Sequence, residues 1–156
     1  MPRTGRDISL LFDLFAVYQR VSALVGLTLE GSELRGDEYA VYSVLFDLGP
    51  LTATEMATSL GMPLTTILDY LRAMERRKHI HRVAHPSDGR ARQIRLSPEG
   101  LGAHRRASAA WARMARLIDL SLGTRLPRVR ASLHDLDDAV IAVDAKLRSR
   151  RAASAR

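Results

Sequence analysis

The hydrophobic pattern changes its period in the middle of the chain, and this change limits the folds that the sequence can adopt. Apolar residues between positions 53 and 77 recur every three or four residues, as they do on one face of a helix. Residues 80–83 and 93–96 instead alternate between apolar and polar, which predicts two short strands. Helical spacing returns after Ser97. The sequence therefore predicts a mainly α fold with one small β-hairpin.

Two helices are predicted ahead of this region. The first runs from Asp7 to about Leu29, because its apolar residues share one helical face, and Glu30-Gly31-Ser32 ends it. Asp37 is a suitable N-cap for the second, which Gly49-Pro50 closes.

The next segment has the pattern of a helix-turn-helix. Thr52 to Glu55 form a Thr-x-x-Glu capping box, in which each side chain satisfies a free amide at the helix start. Gly61 stops this short helix, and Pro63 suits the first turn of another that extends to about Arg77. Short helices with a tight Gly-containing turn between the last two predict a helix-turn-helix.

Two long helices are predicted after the hairpin. Ser97 caps the first, with Pro98 in its first turn, and Gly123 ends it. The second carries apolar residues in alternating steps of three and four, which is a heptad seam over three heptads. The seam consists of Leu126, Val129, Leu133, Leu136, Val140, Val143 and Leu147. The basic residues 149–156 that follow are predicted to be a disordered tail.

The positive charge is concentrated in one part of the chain. The protein has 156 residues and a net charge of +7. Residues 72–116 carry twelve Lys and Arg against three Asp and Glu, a net charge of +9. A block of this kind is typical of a surface that meets phosphates, although a solvated basic face would look the same.

Composition excludes several classes of function. There is no Cys, so thiolate metal sites, cysteine nucleophiles and disulfides are excluded. The longest unbroken apolar runs have five residues, which predicts no membrane span and a cytoplasmic protein. Enzymatic activity is not expected, because the chain has no nucleophile motif, phosphate-binding Gly loop or paired carboxylates in a catalytic context.

The helix-turn-helix, the Arg-rich hairpin and the helix after it together resemble the DNA-binding region of the MarR family of transcriptional regulators. The residues that carry the resemblance are Gly49-Pro50-Leu51-Thr52, Glu55-Met56-Ala57, Leu60-Gly61, Asp88-Gly89-Arg90-Ala91 and Leu96-Ser97-Pro98-Glu99-Gly100. The resemblance implies a single domain over residues 1–156, with a winged helix-turn-helix at 36–97. It also implies a homodimer whose N- and C-terminal helices, residues 7–30 and 98–148, interlock, in agreement with the heptad seam.

The sequence departs from the family pattern in places. Lys78 stands where the family usually has Gly, so a residue with a side chain must adopt a left-handed conformation there. His79 follows where an apolar residue is common, and Leu68 and Asp69 occupy positions that are often polar or basic. Asp69 repels phosphate, but it could accept a hydrogen bond from a cytosine amino group.

Six residues are the candidates for DNA contact: Thr65, Thr66, Asp69, Arg72, Arg90 and Arg92. The first four lie on the face of their helix that is opposite its apolar residues. The start of this helix would enter the major groove. Arg90 at the tip of the hairpin is the candidate for insertion into the minor groove, and Asp88 is expected to hold an Arg within the wing. Alternation along the second strand of the hairpin should turn one of its sides inward, and Arg95 is therefore not included among the candidates for DNA contact.

Two further kinds of site are considered. His79, His81 and His85 could ligate a metal, but without Cys and with few nearby acids a metal site is not predicted, and no cofactor is expected. The resemblance implies an effector pocket beside the dimer helices. Residues that could line it are Tyr18, Tyr39, Tyr42, His104 and Arg113, the last suiting a small anionic aromatic molecule.

The leading hypothesis is a homodimeric repressor that binds a near-palindromic operator in double-stranded DNA and is released by a small-molecule effector. The alternative is a dimeric interaction module that no longer binds DNA and sequesters a ligand or a protein partner. The unusual Leu68 and Asp69 are the only features that favour the alternative.

Overall fold

The computed structural model describes residues 9–87 and 91–154. Within these residues the order of elements follows the sequence prediction, with helices before and after a two-stranded hairpin. The elements are α1 (Leu10–Thr28), α2 (Gly36–Leu48), α3 (Ala53–Leu60), α4 (Leu64–Arg76), β1 (Ile80–Ala84), β2 (Arg92–Leu96), α5 (Pro98–Leu122) and α6 (Leu126–Ser154). A single 3₁₀ turn, Gly123–Arg125, precedes α6.

The chain divides into two compact units, whereas the sequence is interpreted above as one domain. The first unit extends to Met114 and contains the hydrophobic core. The second begins at Ala115 and contains α6, of which no described residue is buried. The described residues of the second unit therefore do not bury the apolar side chains of α6.

The observed starts of the first two helices differ from the predicted ones. The Ser9 hydroxyl accepts a hydrogen bond from the Phe12 amide at 3.2 Å and caps α1. Asp7, the predicted start, lies outside the described residues. For α2 the prediction of Asp37 as N-cap is wrong, because the helix already begins at Gly36. The Glu38 carboxylate instead accepts from the Arg35 amide at 3.2 Å, so the stabilising acid lies inside the helix.

The capping box of α3 is confirmed. The Glu55 amide donates to the Thr52 hydroxyl at 3.2 Å, and the Thr52 amide donates to the Glu55 carboxylate at 2.7 Å. Gly61 ends the helix with φ of +60°, a left-handed conformation that costs glycine little. The Met62 amide then donates back to the Ala57 carbonyl at 3.0 Å, and α4 follows at once. These bonds fix the turn of the helix-turn-helix.

The core of the first unit is built from one face of each element from α2 to α5, together with Val25 of α1 and Leu29 and Leu34 of the loop that follows α1. Its fully buried members with large side chains are Leu34, Val41, Tyr42, Met56, Ile67, Leu71, Met74 and Ile94. The spacing of Ile67, Leu71 and Met74 places one side of α4 in this core and leaves the other side in solvent.

The hairpin is one residue longer in each strand than the alternation predicts. The antiparallel register pairs Ile80 with Leu96 and Ala84 with Arg92. Leu51 adds a third short segment, because its amide and carbonyl both bond to Ile94, at 3.2 and 2.7 Å. The segment ahead of α3 is thereby attached to the hairpin.

A tight junction joins the end of α4, the start of β1 and the start of α5. Lys78 has φ of +59°, which confirms the predicted left-handed conformation. The Ser97 hydroxyl donates to the Lys78 carbonyl at 2.8 Å and accepts from the Gly100 amide at 3.1 Å. A Cβ atom at Gly100 would lie 2.1 Å from the His79 carbonyl oxygen, so α5 can approach this closely only with glycine there.

The last helix continues further than predicted. α6 extends to Ser154, so residues 149–154 are helical and do not form the disordered tail that the sequence suggests. The basic side chains of this stretch are exposed, and the Asp144 carboxylate pairs with Arg148 at 2.6 Å. An intrahelical pair of this spacing favours helix and offsets the charge repulsion.

The first helix is apolar and almost entirely exposed. Val25 is its one buried residue, while Leu11, Phe15 and Leu27 each expose more than half of their surface. Among the described residues it is the one helix long and apolar enough to cross a membrane, judged by length and composition alone. The length of unbroken apolar runs, used above as the criterion, did not reveal the apolar character of α1. Asp13 and Arg20 interrupt the runs in a segment that remains apolar on average.

Replacement of Gly100 by Ala should destabilise the first unit by about 2 to 3 kcal/mol, because the added methyl group would overlap the His79 backbone and force α5 away from the hairpin. Gly102→Ala is the matched control on the same helix. Its Cβ would meet only the flexible Arg106 guanidinium at 3.2 Å, so it should gain about 0.5 to 1 kcal/mol from helix propensity. Urea denaturation of both variants measures the difference, and equal effects would contradict the close-approach argument.

Candidate nucleic-acid interface

The outer side of α4 is a polar stripe held in place by the buried inner side. Thr65, Asp69, Arg72 and Arg76 are exposed and follow each other in steps of four, three and four residues, which places them along one line of the helix. Ile67, Leu71 and Met74 on the opposite side are at most 1% exposed. Because core packing fixes the rotation of α4, the stripe presents a defined set of groups to solvent.

The four candidates for DNA contact on α4 differ in the bonds that their side chains make. Thr65 is exposed and Thr66 is half-buried, and neither hydroxyl bonds to another group in the described part of the chain. Asp69 and Arg72 pair with each other, with 2.6 Å between Oδ1 and the guanidinium. Three of the four predicted residues, Thr65, Asp69 and Arg72, thus lie on the stripe, with Thr66 beside it.

The hairpin adds cations next to α4. Arg82 of β1 donates to the Glu75 carboxylate of α4 at 2.5 Å, which ties the two elements together. Arg92 is exposed as the sequence interpretation requires, but it lies on the same strand face as the buried Ile94. Arg95 lies on the opposite face and is exposed, so its exclusion as an inward residue was wrong: the alternation has the reverse phase. Asp88 and Arg90 lie outside the described residues.

A polar network, buried at Tyr42 and His79 and exposed at Glu33 and Arg106, lies at the base of the hairpin. The Tyr42 hydroxyl is 2.8 Å from Nδ1 of His79, and Nε2 of His79 is 3.3 Å from the Glu33 carboxylate. Arg106 of α5 donates to the other oxygen of Glu33 at 2.5 Å, and this bond lowers the pKa of Glu33. Burial raises the pKa of Tyr42 to about 12, so the hydroxyl stays protonated. The network satisfies polar groups that would otherwise be costly to bury.

This network accounts for one of the three histidines considered above as metal ligands. His79 is buried with its two ring nitrogens occupied by Tyr42 and Glu33, whereas His81 is exposed. His85 bonds to Ser87, with 3.3 Å between Nδ1 and the hydroxyl. Over residues 9–87 and 91–154, no three His, Asp or Glu side chains come together as a metal site would require.

A cavity of about 510 Å³ lies beside α1, within the first unit. Its apolar wall is formed by Tyr18, Val21, Val25, Leu29, Leu34, Met62 and Trp111. The polar side chains in its lining are Ser22, Glu30, Ser32, Arg35 and Asp37. A cavity with an apolar wall and a few polar groups suits a small organic molecule that carries polar substituents.

Four of the five residues considered for an effector pocket lie elsewhere. Tyr18 lines the cavity, but Tyr42 is fully buried in the polar network and Arg113 is exposed. Tyr39 and His104 stack with their ring centres 5.3 Å apart and their planes 7° apart. The sequence interpretation missed Arg35, because a helix N-terminus gives no sign of what lies beside it.

His104 is enclosed by aromatic rings. In addition to Tyr39, Phe46 stacks on it with 4.5 Å between ring centres, and the Ser43 hydroxyl lies 3.2 Å from Nε2. Burial lowers the pKa of His104, and the nearby Asp47 carboxylate offsets part of this effect. The neutral imidazole is therefore the form that the folded chain favours.

Comparison with solved structures identifies the architecture. No family model matches the sequence, and no curated protein matches it. A probable transcriptional regulator from Pseudomonas aeruginosa is 27% identical, with a TM-score of 0.73 over 83% of this chain and 98% of that one. MosR from M. tuberculosis, in complex with DNA, is 23% identical, with a TM-score of 0.74 over 86% of this chain and 98% of that one.

BpsR from Bordetella bronchiseptica shares the same fold, with a TM-score of 0.76 at 18% identity over 86% of this chain and 96% of that one. The chain has the winged-helix fold of these proteins, which is the fold that its resemblance to MarR regulators implies. In this fold α3 and α4 form the helix-turn-helix and the β1–β2 hairpin is the wing. The Pseudomonas aeruginosa protein and MosR, which share this fold, are described as transcriptional regulators, the first as a probable one.

The lowered pKa of the enclosed His104 predicts that the stability of the protein depends on pH. The pKa of His104 is lower in the folded chain than in the unfolded chain, so the unfolded chain takes up a proton first as pH falls. The stabilising effect is complete above the unfolded pKa of about 6.5 and decreases as pH falls below it.

We therefore expect the free energy of unfolding to decrease between pH 7.5 and about pH 5.5, and to decrease less in His104→Gln. His134→Gln, at an exposed position of α6, is the control and should keep the full dependence. Urea denaturation at a series of pH values measures both. An unchanged slope in His104→Gln would show that another group is responsible.

Proposed function

We propose that the protein is a homodimeric transcriptional repressor that binds a near-palindromic operator in double-stranded DNA and is released by a small-molecule effector. The observation that carries this proposal is the polar stripe of α4, which is fixed by core packing and lies beside an Arg-rich wing. Such a regulator would act in the cytoplasm.

The stripe has the properties of a major-groove reading surface. The N-terminal half of α4 presents Thr65 and Asp69, and the following turns present Arg72 and Arg76. Recognition helices of helix-turn-helix proteins contact base edges with their N-terminal residues. The net charge of +9 over residues 72–116 favours phosphate contact on the same part of the chain. MosR, which shares the fold, is described in complex with DNA, and this supports a DNA-binding role for the same fold here.

Exposed apolar surface supports a homodimer. Val129, Leu133, Val140, Val143 and Leu147 of the heptad seam are exposed in the single chain. A seam of this kind is stable when a second helix covers it. The exposed apolar side of α1 also needs a cover, and a second copy of the chain would supply one without placing Asp13 and Arg20 in a membrane.

Two-fold symmetry sets the geometry of the operator. Each subunit of a dimer would place one α4 in a major groove, and the two half-sites would be about 34 Å apart, one helical turn of DNA. A symmetric protein reads a symmetric sequence, so the operator would be a near-palindrome.

The cavity beside α1 is the site proposed for the effector. BpsR is described as regulated in DNA binding by 6-hydroxynicotinic acid, a small aromatic acid. The cavity of about 510 Å³ has an aromatic and aliphatic wall that suits an aromatic ring. Arg35 in its lining would pair with an acidic substituent, whereas Glu30 and Asp37 in the same lining would accept hydrogen bonds from a hydroxyl or amino substituent. An effector that binds better to the DNA-free arrangement of the dimer would shift the population away from DNA.

Replacement of Arg90 by Ala should weaken binding to operator DNA by about 5- to 150-fold, because a guanidinium in the minor groove contributes about 1 to 3 kcal/mol. Arg128→Ala in α6 removes the same charge outside the winged region and should have little effect. Fluorescence anisotropy with the duplex upstream of the protein's own gene, a random duplex and two salt concentrations measures this. A wild-type protein that binds both duplexes alike would favour the interaction module instead, or an operator elsewhere in the genome, which a genome-wide selection would find.

Replacement of Leu133 by Glu should dissociate the dimer, because it places a charge in the centre of the seam. Ala131→Glu adds the same charge two residues away, outside the seam, and should leave the dimer intact. Sedimentation equilibrium of the two variants measures the oligomeric state. A monomeric wild-type protein, or equal effects of the two substitutions, would contradict a dimer built on this seam.

A further inference from the structure

An acid in the middle of a DNA-reading stripe requires an explanation. Asp69 is exposed on the same line of α4 as Thr65 and Arg72, and its side chain is 73% exposed. A carboxylate on a surface that approaches phosphates lowers the affinity for any duplex, whatever its sequence. Such a group is compatible with DNA binding when it gains a hydrogen bond that depends on the sequence.

The pairing of Asp69 with Arg72 does not supply a structural explanation. Both side chains are more than half exposed, and an exposed ion pair three residues apart on a helix contributes little to folding. No bond from Asp69 to another element exists among the described residues, since its one partner is Arg72 on the same helix. Removal of the carboxylate would therefore leave the core and the helix-turn-helix intact.

The groups that the pair leaves free match the edge of one base pair. The bond joins Oδ1 of Asp69 to one terminal nitrogen of Arg72, so Oδ2 remains as an acceptor and the remaining guanidinium N–H groups remain as donors. A G·C pair presents the complementary order in the major groove, with acceptors at N7 and O6 of guanine and a donor at N4 of cytosine. An A·T pair presents the O4 acceptor of thymine where cytosine has its amino group.

We propose that Asp69 and Arg72 act as one unit that reads a single G·C base pair in each half-site. Arg72 donates to N7 and O6 of guanine, and Asp69 accepts from N4 of the paired cytosine. The bond between the two side chains holds the guanidinium in position before DNA is bound, which reduces the entropy lost on binding. Asp69 also repels the O4 atom of thymine, so it enforces specificity as well as adding a contact. This inference rests on the proposed DNA-binding function.

The test is a selection of preferred duplexes from a random library by wild-type protein, followed by anisotropy titrations of Asp69→Asn. Asn keeps an acceptor and adds a donor, so it tolerates thymine as well as cytosine. We expect the preference for G·C over A·T at one position of each half-site to fall by about 5-fold or more. We expect binding to a random duplex to become tighter at the same time, because a negative charge is lost.

Two further variants separate specificity from charge and from folding. Asp144→Asn removes one negative charge and breaks the comparable exposed pair with Arg148, at 2.6 Å on α6, and should leave the base preference unchanged. Arg72→Lys keeps the positive charge but loses the planar fork, so the preference for guanine should weaken while most of the binding to random duplex is retained. Thermal unfolding of each variant confirms that the fold is retained.

The outcomes distinguish this inference from the function on which it rests. A wild-type protein that selects no sequence would overturn the proposed regulator and the inference together. A wild-type protein that selects a sequence without a G·C preference within the half-site would overturn the inference alone. So would Asp69→Asn if it weakened binding to all duplexes by one common factor, since that is the behaviour of a residue that merely supports the helix.

Discussion

The close contact between α5 and the start of the hairpin is the constraint on which the winged region depends. Gly100 lies against the His79 carbonyl, and the Ser97 hydroxyl bridges the Lys78 carbonyl and the Gly100 amide. One small region thereby fixes where α4 ends, where β1 begins and how α5 leaves the hairpin. The left-handed Lys78 is retained because these bonds hold the backbone on both sides of it. The rotation of α4, and with it the direction of the polar stripe, follows from this junction together with the buried face of the helix.

Hydrogen bonds between polar and charged side chains connect this junction to the residues around the cavity. His79 connects through Glu33 to Arg106 and through its other nitrogen to Tyr42. Glu33 lies in the loop between α1 and α2, whose neighbouring residues Ser32 and Leu34 line the cavity. A wall of the cavity and the base of the wing are thus joined by charge-assisted hydrogen bonds, which are stronger than neutral ones and depend on geometry.

Much of the fold could be predicted from local sequence signals, and the errors have identifiable causes. The Thr52–Glu55 capping box, the stop at Gly61 and the cap at Ser97 are as predicted, because each motif satisfies its own backbone groups within a few residues. The start of α2 was placed wrongly at Asp37, since Glu38 can reach back to the same amide from inside the helix. The phase of β2 was also wrong at Arg95, because the alternation of a short strand does not reveal which side meets the core.

Periodicity and capping residues in the sequence by themselves determine the number and order of the elements, the helix-turn-helix and the unpaired heptad seam. They determine these because hydrogen bonds and apolar spacing along one segment are local properties. The tertiary structure alone decides that Tyr42 bonds to His79, that Arg35 rather than Arg113 lies at the cavity, and that Leu51 pairs with Ile94. Those facts depend on which segments distant in sequence pack together, and packing is a property of the whole core.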